Sequence, residues 1–324
     1  MNDKLSQIVE KLKDAKNVLV TVSKDPSIDQ VAAAIGLTVG LNNTEKHATA
    51  VYSGQTPSTV DFLKPEETFE KNTDSLRDFI IALDKSKADK LRYKVEDDVV
   101  RIYVTPYRVS LSEKDLEFSQ GDFNVDMVIA LGVKSQEDLD EAIRAHGRIF
   151  HSASVISIDT EEGSDIGAEN WVDTSASSLS EMVADLLAKL DSKSLESQVS
   201  TALLTGIVSA TDRFSNAKTS PRTMSTSAAL MATGANQQLI SEELRQSVTQ
   251  QASDGARPAS DDSVLDLGHE EGANTTEVSA SPEEPEKVTE NAQEGTGQDS
   301  ETTPEDPNKP AEITVDDDGH LRLV

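Results

Sequence analysis

Short apolar runs that alternate with helical segments constrain the fold of this chain more than any other feature of its sequence. Asn17–Val22 reads NVLVTV, and Met127–Leu131 and Val155–Ile158 are similar runs. Continuous apolar runs of this length are typical of parallel strands that are buried on both faces. An alanine-rich helix, predicted from Asp29 to Gly40, follows the first run. The alternation predicts the α/β class, with a mostly parallel open sheet flanked by helices.

The remaining elements are predicted from periodicity and from turn residues. The spacing of apolar residues predicts helices at Asp3–Lys16, Ser135–Ala145, Ser177–Leu190, Ser194–Ala210, Pro221–Thr233 and Ser241–Val248. Two further strands are expected at Ala48–Tyr52 and Asp78–Leu83. The segment Leu91–Val109 instead alternates apolar and polar residues around Asp97-Asp98. This alternation predicts an antiparallel hairpin inserted into the domain.

The charge of the chain is unevenly distributed. The 324 residues include 30 Lys and Arg against 59 Asp and Glu, for a formal net charge of −29. Residues 251–324 hold 20 acidic and only 4 basic residues, and they contain too few apolar residues to offset the entropy of ordering. We therefore predict a domain at residues 1–248 and a disordered, acidic low-complexity tail at residues 249–324. An Asp-Gly turn between apolar residues predicts a short hairpin at 311–324 within this tail.

Composition also disfavours several classes of function. No stretch approaches the roughly 20 apolar residues that a membrane-spanning helix needs. The absence of cysteine excludes disulfides and thiolate metal sites. The acidic excess disfavours strong binding of duplex nucleic acid, because that binding requires Lys and Arg to neutralise phosphates. The sequence thus predicts a cytoplasmic protein with no membrane partner.

Ligands of an open α/β sheet bind beyond the carboxyl ends of its strands. The predicted elements place three loops there: Ser23–Asp29, Gly132–Ser135 and Asp159–Gly163. The segment Ala210–Arg213 follows a helix that can line the same cleft. These four segments are where we expect the chemistry of the protein.

The same four segments, with the residues around them, resemble the motifs of the DHH phosphoesterases. This family includes RecJ-type exonucleases, nanoRNases and cyclic-dinucleotide phosphodiesterases. The resemblance covers roughly residues 10–245 and is carried by Asn17–Gly36, Asn170–Asp173 with Ala176–Ser178, Thr201–Phe214, Thr219–Thr223 and Gly234-Ala235. It implies a DHH-like α/β domain. The DHHA1 substrate domain that usually follows in this family is not recognisable in the sequence.

Most positions that hold metal ions in the family carry other residues here. The family's first loop reads H-x-x-P-D-x-D, whereas this chain has Ser23 for the His and Ser27 for the first Asp, and keeps Pro26 and the second Asp, Asp29. Gly132 stands at the ligand Asp of the second loop, and Ala210 replaces the Asp of the fourth. The name-giving Asp-His-His becomes Asp159-Thr160-Glu161. A two-metal phosphoesterase needs several carboxylate and imidazole ligands, so we expect no metal cofactor and a degenerate active site.

Two interpretations of the altered loops remain open at the level of the sequence. A displaced site for Mn²⁺ or Mg²⁺ would be built from the acidic residues Asp25, Asp29, Asp159, Glu161 and Asp212. The alternative is that these carboxylates are solvated or cap helices, with Asp29 as a candidate cap. A site for an anion near the helix that begins at Asp29 would use Ser23, Lys24, Ser27, Thr160, Arg213 and Arg222. Its alternative is a cleft filled with water.

The leading functional prediction is a catalytically degenerate, phosphoesterase-like domain that is not an enzyme. It would bind a nucleotide, a short oligonucleotide or another anion, or a protein partner through the hairpin at 91–109 or the tail. A first alternative is a divergent metal-dependent phosphoesterase that acts on small nucleotides through the displaced site. A second alternative is a structural subunit of an assembly.

Overall fold

The computed structural model describes residues 2–254, 313–315 and 321–323. The chain divides into two units. The first comprises Met1–Ala82 and Leu116–Arg257, and the second comprises Leu83–Asp115 and Pro258–Val324. The inserted hairpin predicted from the sequence therefore belongs to the second unit. In the described part of the chain, no helix is both long and apolar enough to cross a membrane.

The first unit contains nine helices and eight strands among its described residues. The helices are α1 Asn2–Asp14, α2 Ile28–Asn42, α3 Pro65–Thr68, α4 Glu141–Arg144, α5 Ile149–Ser152, α6 Leu179–Leu190, α7 Ser197–Ala210, α8 Pro221–Ala232 and α9 Gln237–Asp254. The strands are β1 Asn17–Val22, β2 His47–Val51, β3 Phe69–Glu70, β4 Arg77–Leu83, β7 Leu116–Phe123, β8 Met127–Leu131, β9 Ser154–Asp159 and β10 Glu169–Val172; β5 Ala88–Glu96 and β6 Val99–Pro106 lie in the second unit.

A six-stranded sheet in the order β10-β9-β8-β1-β2-β3 forms the centre of the first unit. Every neighbouring pair is parallel. Val20 of β1 pairs with Ala50 of β2 on one side and with Ile129 of β8 on the other. The predicted α/β class and its parallel sheet are confirmed. All six strands run the same way, so the loops after β1, β8 and β9 meet at one edge of the sheet.

The two faces of the sheet bury separate apolar clusters. Val18, Val20 and Val22 point from β1 into a core shared with α1, α2, α6 and α7. Leu19 lies on the opposite face of β1, in a second cluster with residues of α4 and α5. Because side chains of a strand alternate between its faces, the continuous apolar run of β1 serves both clusters.

The central helix α2 is buried along most of its length, and its start is defined by a capping box. The Ser27 hydroxyl accepts a hydrogen bond from the Gln30 amide, while the Gln30 side chain accepts one from the Ser27 amide. The helix therefore begins after Ser27, and Asp29 is its second residue rather than its cap. Gly36 and Gly40 let α2 approach α7 and α6 closely, because a Cβ at Gly40 would lie 2.6 Å from the Leu187 side chain.

The helix predicted at Ser135–Ala145 is wrong in most of its length. Only α4 and a 3-10 turn at Gln136–Asp138 form there. Leu139 adopts an extended conformation and makes an isolated antiparallel bridge with Ser23. The buried Asp140 carboxylate then caps α4 at Ala142 and accepts a hydrogen bond from the Ser53 hydroxyl at 2.8 Å. These contacts with distant residues override the local helical periodicity.

Strands outside the apolar runs were predicted less well. The strand expected at Asp78–Leu83 forms as β4, but it pairs with β7 in a separate two-stranded sheet. The short strands β3 and β10 and the polar strand β7 were not predicted. Their sequences (FE, ENWV and LEFSQGDF) show neither a long apolar run nor a regular alternation.

The second unit contains the predicted hairpin. Strands β5 and β6 pair antiparallel from Ala88 and Pro106 to Glu96 and Val99, and Asp97 in the turn has a φ of 45°. Two further strands, β11 (Ile313–Val315) and β12 (Leu321–Leu323), pair antiparallel within the predicted terminal segment 311–324. Most of the tail, residues 255–312, lies outside the described residues, so its disorder stays a prediction. The helix α9 extends to Asp254, beyond the predicted domain end at residue 248.

Candidate functional site

One side chain, that of Gln30, joins the loops that follow β1 and β8. Its amide nitrogen donates to the Ser23 hydroxyl at 3.0 Å and to the carbonyl oxygens of Leu131 and Gly132 at 3.1 and 3.0 Å. Its amide oxygen accepts the Ser27 N–H at 2.9 Å. The motif positions Ser23, Ser27 and Gly132 are therefore brought together, as the sequence predicts. Protein hydrogen bonds hold them together.

Gly132 has a backbone that suits glycine in particular. Its φ is +63°, in the left-handed region, and a Cβ there would lie 2.7 Å from the Gln30 amide nitrogen and 2.9 Å from the Leu179 side chain. The family that the sequence resembles places a ligand Asp at this position. An Asp at Gly132 would be strained and would collide with Gln30.

Asp29, a surviving motif carboxylate, caps a neighbouring helix. Its Oδ2 accepts the Leu179 N–H at 2.7 Å and its Oδ1 accepts the Ser180 N–H at 3.0 Å. These are the first two residues of α6, whose third N–H is accepted by the Ser178 hydroxyl. The N–H groups that a helix start leaves unpaired are thus satisfied. Both oxygens of Asp29 are engaged in this cap.

Burial raises the pKa of Asp29 above the ordinary value of 3.8. The hydrogen bonds from Ser180 and Leu179 and the positive charge of Lys218 oppose this shift only in part. The enclosure is tight on the side of α7, where a Cβ at Gly206 would lie 2.7 Å from the Asp29 Oδ1. The carboxylate therefore lies between α6 and α7, and a metal ion there would displace helix contacts.

Asp159, the other surviving motif carboxylate, is paired with a lysine. It ends β9, is only 4% exposed, and its Oδ2 lies 3.1 Å from the Lys134 ammonium. Lys134 also donates to the carbonyl oxygens of Glu161 and Glu162 at 3.2 and 3.4 Å. The Glu161 carboxylate lies 3.5 Å from the same ammonium. Four oxygens thus surround one protein cation at the carboxyl end of β9.

The acidic residues of the displaced metal site do not converge. Asp29 caps α6, while Asp159 and Glu161 share Lys134. Asp25 and Asp212 are exposed on their loops. Within the described ranges, no group of three His, Asp or Glu side chains is arranged to hold a metal ion.

Arg222 binds carboxylates of its own chain. Its guanidinium lies 2.6 Å from Asp173, 3.0 Å from the fully buried Glu181 and 2.7 Å from Asp185. Burial alone would lower the pKa of Arg222, but the hydrogen bonds to Asp173 and Asp185 dominate and raise it. The three ion pairs tie α8 to α6 and to the loop after β10. Nε and both terminal nitrogens of the guanidinium are thus each engaged by a carboxylate of the chain.

Two other predicted anion ligands also have internal partners. Lys24 donates to the carbonyl oxygen of Glu137 at 3.3 Å, and its amine lies 4.0 Å from the Asp138 carboxylate. Arg213 donates to the carbonyl oxygen of Leu244 in α9 at 2.8 Å. Sequence reasoning did not detect these partners because they lie between 31 and 113 residues away along the chain.

The chain after α7 forms an unusual turn. Ala210 ends the helix, and Asp212, Arg213 and Phe214 then adopt φ values of 48°, 56° and 63°. Three consecutive non-glycine residues in the left-handed region are costly, and such strain is concentrated at ligand sites and switch regions of proteins. The Asn216 side chain holds the turn by donating to the Ala210 carbonyl oxygen at 3.0 Å. This turn leads into the wall of an open cleft.

That cleft has a volume of about 740 Å³ and lies next to the predicted site residue Thr160. Its lining consists of the hydroxyl residues Thr160, Thr174, Ser175 and Ser220, the charged residues Glu161, Glu162 and Lys218, and Ala176 and Ala217. Among the described residues, the side chains of Thr160, Thr174 and Lys218 make no hydrogen bond or ion pair with another part of the chain. The cleft therefore offers two free hydroxyls and one free ammonium.

Sequence reasoning missed three residues that shape this region: Gln30, Lys134 and Lys218. None stands at a motif position of the resembled family. Lys134 follows Gly132 by two residues and Lys218 precedes the predicted helix start at Pro221, so both lie near the loops already singled out. For Lys134, the signal available in the sequence was a basic residue two positions after Gly132, where the resembled family has an acidic ligand.

Neither family models nor curated proteins match the sequence. Among solved structures, the fold is similar to an exopolyphosphatase-related protein from Bacteroides fragilis, with a TM-score of 0.53 and 14% sequence identity. The match covers 75% of this chain and 60% of that one, so this chain spans less than two thirds of that protein. A protein assigned as a family II inorganic pyrophosphatase of Methanococcus jannaschii matches with a TM-score of 0.42 and 14% identity, over 70% and 60% of the two chains. At this level of identity, the first likeness shows a shared α/β fold alone.

Proposed function

We propose that this protein is a DHH-like domain that binds a small phosphorylated ligand, such as a nucleotide or short oligonucleotide, without hydrolysing it. One observation carries the proposal. The two carboxylates that survive from the family's motifs, Asp29 and Asp159, are already occupied by N–H groups of α6 and by the Lys134 ammonium.

The loss of hydrolysis follows from these contacts. A two-metal mechanism requires ligands that hold two ions about 3.5–4 Å apart to activate water and stabilise the leaving oxygen. Here the Gln30 side chain bridges the loops after β1 and β8. An Asp at position 132 would be strained because the φ of Gly132 is +63°. Lys134 supplies a single positive charge where the resemblance implies metal ions. An ammonium can hold an anion, but it cannot generate a metal-bound hydroxide.

The ligand is proposed to bind in the cleft beside Thr160 and Lys218. Hydroxyl donors and an ammonium are suitable partners for a phosphate group, because hydrogen bonds to charged oxygens are about twice as strong as neutral ones. Glu161 and Glu162 also line the cleft, and the whole chain carries a charge of −29. These charges disfavour a long polyanion. We therefore propose a ligand with one or two phosphate groups and with hydroxyls or a base to fill the rest of the cleft.

The fold likeness agrees with this ligand class. The neighbour with the TM-score of 0.53 is an exopolyphosphatase-related protein, and its name refers to a phosphate compound. The resemblance of the sequence to DHH phosphoesterases points to short oligonucleotides and cyclic dinucleotides. Both arguments support a phosphorylated ligand. The contacts of Asp29 and Asp159 support the absence of hydrolysis.

Calorimetric titration of the full chain with a 5′-mononucleotide and a linear dinucleotide tests the binding. We expect Lys218→Ala to weaken binding by about 10-fold, the equivalent of one charge-assisted hydrogen bond. Lys193→Ala is the matched control, because Lys193 is exposed in the turn between α6 and α7 and contacts none of the cleft residues. Absence of binding to both ligands would contradict the ligand assignment.

Hydrolysis is tested separately with the same dinucleotide in the presence of Mn²⁺. We expect no turnover with the wild-type chain. Turnover that requires Mn²⁺ and disappears in Asp159→Ala would refute the non-catalytic function and favour the displaced metal site. The two experiments therefore test binding and catalysis independently.

A further inference from the structure

One side chain, that of Asn216, holds the segment that carries Lys218 to the cleft. Its amide nitrogen donates to the carbonyl oxygen of Ala210, the last residue of α7, at 3.0 Å. Its amide oxygen accepts the N–H of Lys218 at 3.0 Å. The same amide group therefore fixes the backbone of Lys218 relative to the end of α7.

The backbone of Asn216 is held independently of its side chain. Its N–H donates to the carbonyl oxygen of Thr211 at 3.2 Å, and its carbonyl oxygen accepts the N–H of Thr219 at 3.1 Å. Thr211 is fully buried, and its hydroxyl donates to the carbonyl oxygen of Ile207 at 2.6 Å and accepts the N–H of Phe214 at 3.1 Å. Asn216 thus projects from a turn that is tied to the last turn of α7.

The backbone that precedes Asn216 is strained. Residues 212–214 have φ values of 48°, 56° and 63°, in the left-handed region that glycine adopts most readily. None of the three is a glycine, so each adds a conformational cost that a connection through glycine would avoid. Strain of this kind persists where the surrounding contacts enforce it, and it is concentrated at ligand sites. The residues that line the cleft directly after this turn are Ala217 and Lys218.

The start of α8 anchors the other end of the segment. The Ser220 hydroxyl accepts the N–H of Thr223 at 3.2 Å, and the Ser220 N–H donates to the Thr223 hydroxyl at 3.3 Å. Lys218 lies between this capping box and Asn216. Its backbone is therefore fixed on both sides, whereas its exposed side chain makes no hydrogen bond or ion pair with another described residue.

We propose that Asn216 is a positioning residue, which holds the Lys218 ammonium where it meets the phosphate group of the ligand. The inference rests on the proposed function and deepens it, because Lys218 is the cationic contact of the ligand there. A lysine with a fixed backbone loses less conformational freedom on binding than a lysine on a mobile loop. Asn216 does not line the cleft, so its effect on the ligand is transmitted through Lys218.

A double-mutant cycle in the full chain tests this role, with calorimetric titration of a 5′-mononucleotide as the measurement. We expect Asn216→Ala to weaken binding by about 5-fold, because the Lys218 side chain then has more freedom to lose. In the Lys218→Ala background the same change should have no further effect, since the group through which Asn216 acts has been removed. Asn216→Ser retains a hydroxyl that replaces the amide oxygen more weakly, so its affinity should lie between those of the wild type and Asn216→Ala.

Asn236→Ala is the matched control. The Asn236 side chain accepts the N–H of Leu239 at 3.1 Å near the start of α9, and Asn236 does not line the cleft. This change removes a comparable hydrogen bond between a side chain and the backbone, and it should leave the affinity unchanged. Thermal unfolding of each variant shows that the titrated chain is folded.

Wild-type affinity in Asn216→Ala would overturn the inference while the proposed function stands. A loss that persists in full in the Lys218→Ala background would do the same, because Asn216 would then act independently of Lys218. An equal loss in Asn236→Ala would also overturn it in favour of a general effect on stability. Absence of nucleotide binding by the wild-type chain would refute the proposed function and this inference together.

Discussion

The side-chain amide nitrogen of Gln30 lies 3.0 Å from the carbonyl oxygen of Gly132. This contact joins the first turn of α2 to the loop after β8, at the edge of the sheet where ligands of α/β proteins bind. Gln30 also reaches Ser23 and Ser27, so one neutral side chain connects three positions that carry metal ligands in the resembled family. The nitrogen and the oxygen of the Gln30 amide both have hydrogen-bond partners from the protein.

Restoring the family's acidic residue at the second loop should fail. Gly132→Asp places a side chain at a φ of +63° and against the Gln30 amide, so we expect a loss of about 1–3 kcal/mol in the free energy of unfolding and no gain in Mn²⁺ binding. Urea unfolding with and without Mn²⁺ measures both.

Two glycine controls separate the causes of that loss. Gly163→Ala has a φ of +102° but open space around its Cβ, so it reports backbone strain without a collision. Gly147→Ala has open space and no such φ, and it should be neutral. Stabilisation of Gly132→Asp by Mn²⁺ would show that the cleft still accepts metal.

Removing the Lys134 side chain should leave the four oxygens around its ammonium without a cation. In Lys134→Ala the Asp159 carboxylate, 4% exposed, loses its countercharge, and we expect a destabilisation of about 3 kcal/mol. Ca²⁺ or Mn²⁺ prefers oxygen ligands and should restore part of the thermal stability of this variant but not of the wild-type chain. Thermal unfolding with increasing metal concentration measures the effect.

Lys64→Ala is the control for Lys134→Ala. Lys64 pairs with Glu67 on the surface, and its loss should change neither the stability nor the response to metal. An equal response of both variants to Ca²⁺ would show that the ion acts nonspecifically on this acidic chain.

The pH dependence of stability should report the raised pKa of Asp29. Burial raises the pKa of Asp29 in the folded state above 3.8, so the folded chain binds a proton more readily than the unfolded chain. Its contribution to stability therefore falls as pH rises from 3.8 through the folded pKa. Asp29→Asn removes this titration. We expect the unfolding free energy of the wild type, relative to the variant, to increase as pH falls from 7 towards 4; a constant difference would contradict the shift.

Arg222 should contribute to stability through its three ion pairs. Arg222→Met leaves Asp173 and the buried Glu181 without a countercharge. We expect a loss of about 3 kcal/mol, at the low end for a buried pair because the Arg222 side chain is one-third exposed. The exposed Arg144 of α4 provides the control Arg144→Met, which should be neutral. Chemical unfolding at pH 7 distinguishes the two.

The same variant should alter acid unfolding. Burial alone would raise the pKa of Asp173, but hydrogen bonds from Ser175 and Arg222 outweigh it and lower the pKa. A lowered carboxyl pKa stabilises the fold above 3.8, and the stability is lost as pH falls through the folded value. Without Arg222, the loss of stability below pH 4 should be shallower. An unchanged slope would show that Ser175 alone sets the shift.

The sequence predicted those parts of the fold that depend on local patterns. β1 and β8 have the predicted bounds because a continuous apolar run at the centre of a parallel sheet has a clear signature. The β5–β6 hairpin was found from strict alternation. The helix expected at Ser135–Ala145 failed because Asp140 and Leu139 interact with Ser53 and Ser23, far away in the sequence.

The sequence identified motif positions that lie close together in the structure, but it did not identify the residue that joins them. Ser23, Ser27 and Gly132 do lie together, yet the residue that joins them, Gln30, stands outside every motif position. Its contact with Gly132 spans 102 residues, and that of Asp29 with Ser180 spans 151. A single sequence shows which charged groups are present. It does not show which of them already neutralise one another.

The pairing of β4 with β7 makes the hairpin insertion independent of the register of the parallel sheet. The Arg77 side chain donates to the Gly121 carbonyl oxygen at 3.1 Å, so the chain departs from the first unit and returns to it through two adjacent strands. Residues between them form a cassette whose length and sequence can change by insertion or deletion without altering the register of the parallel sheet. A change of this kind would alter the exposed surface of the hairpin and leave the pairing of the six parallel strands unchanged.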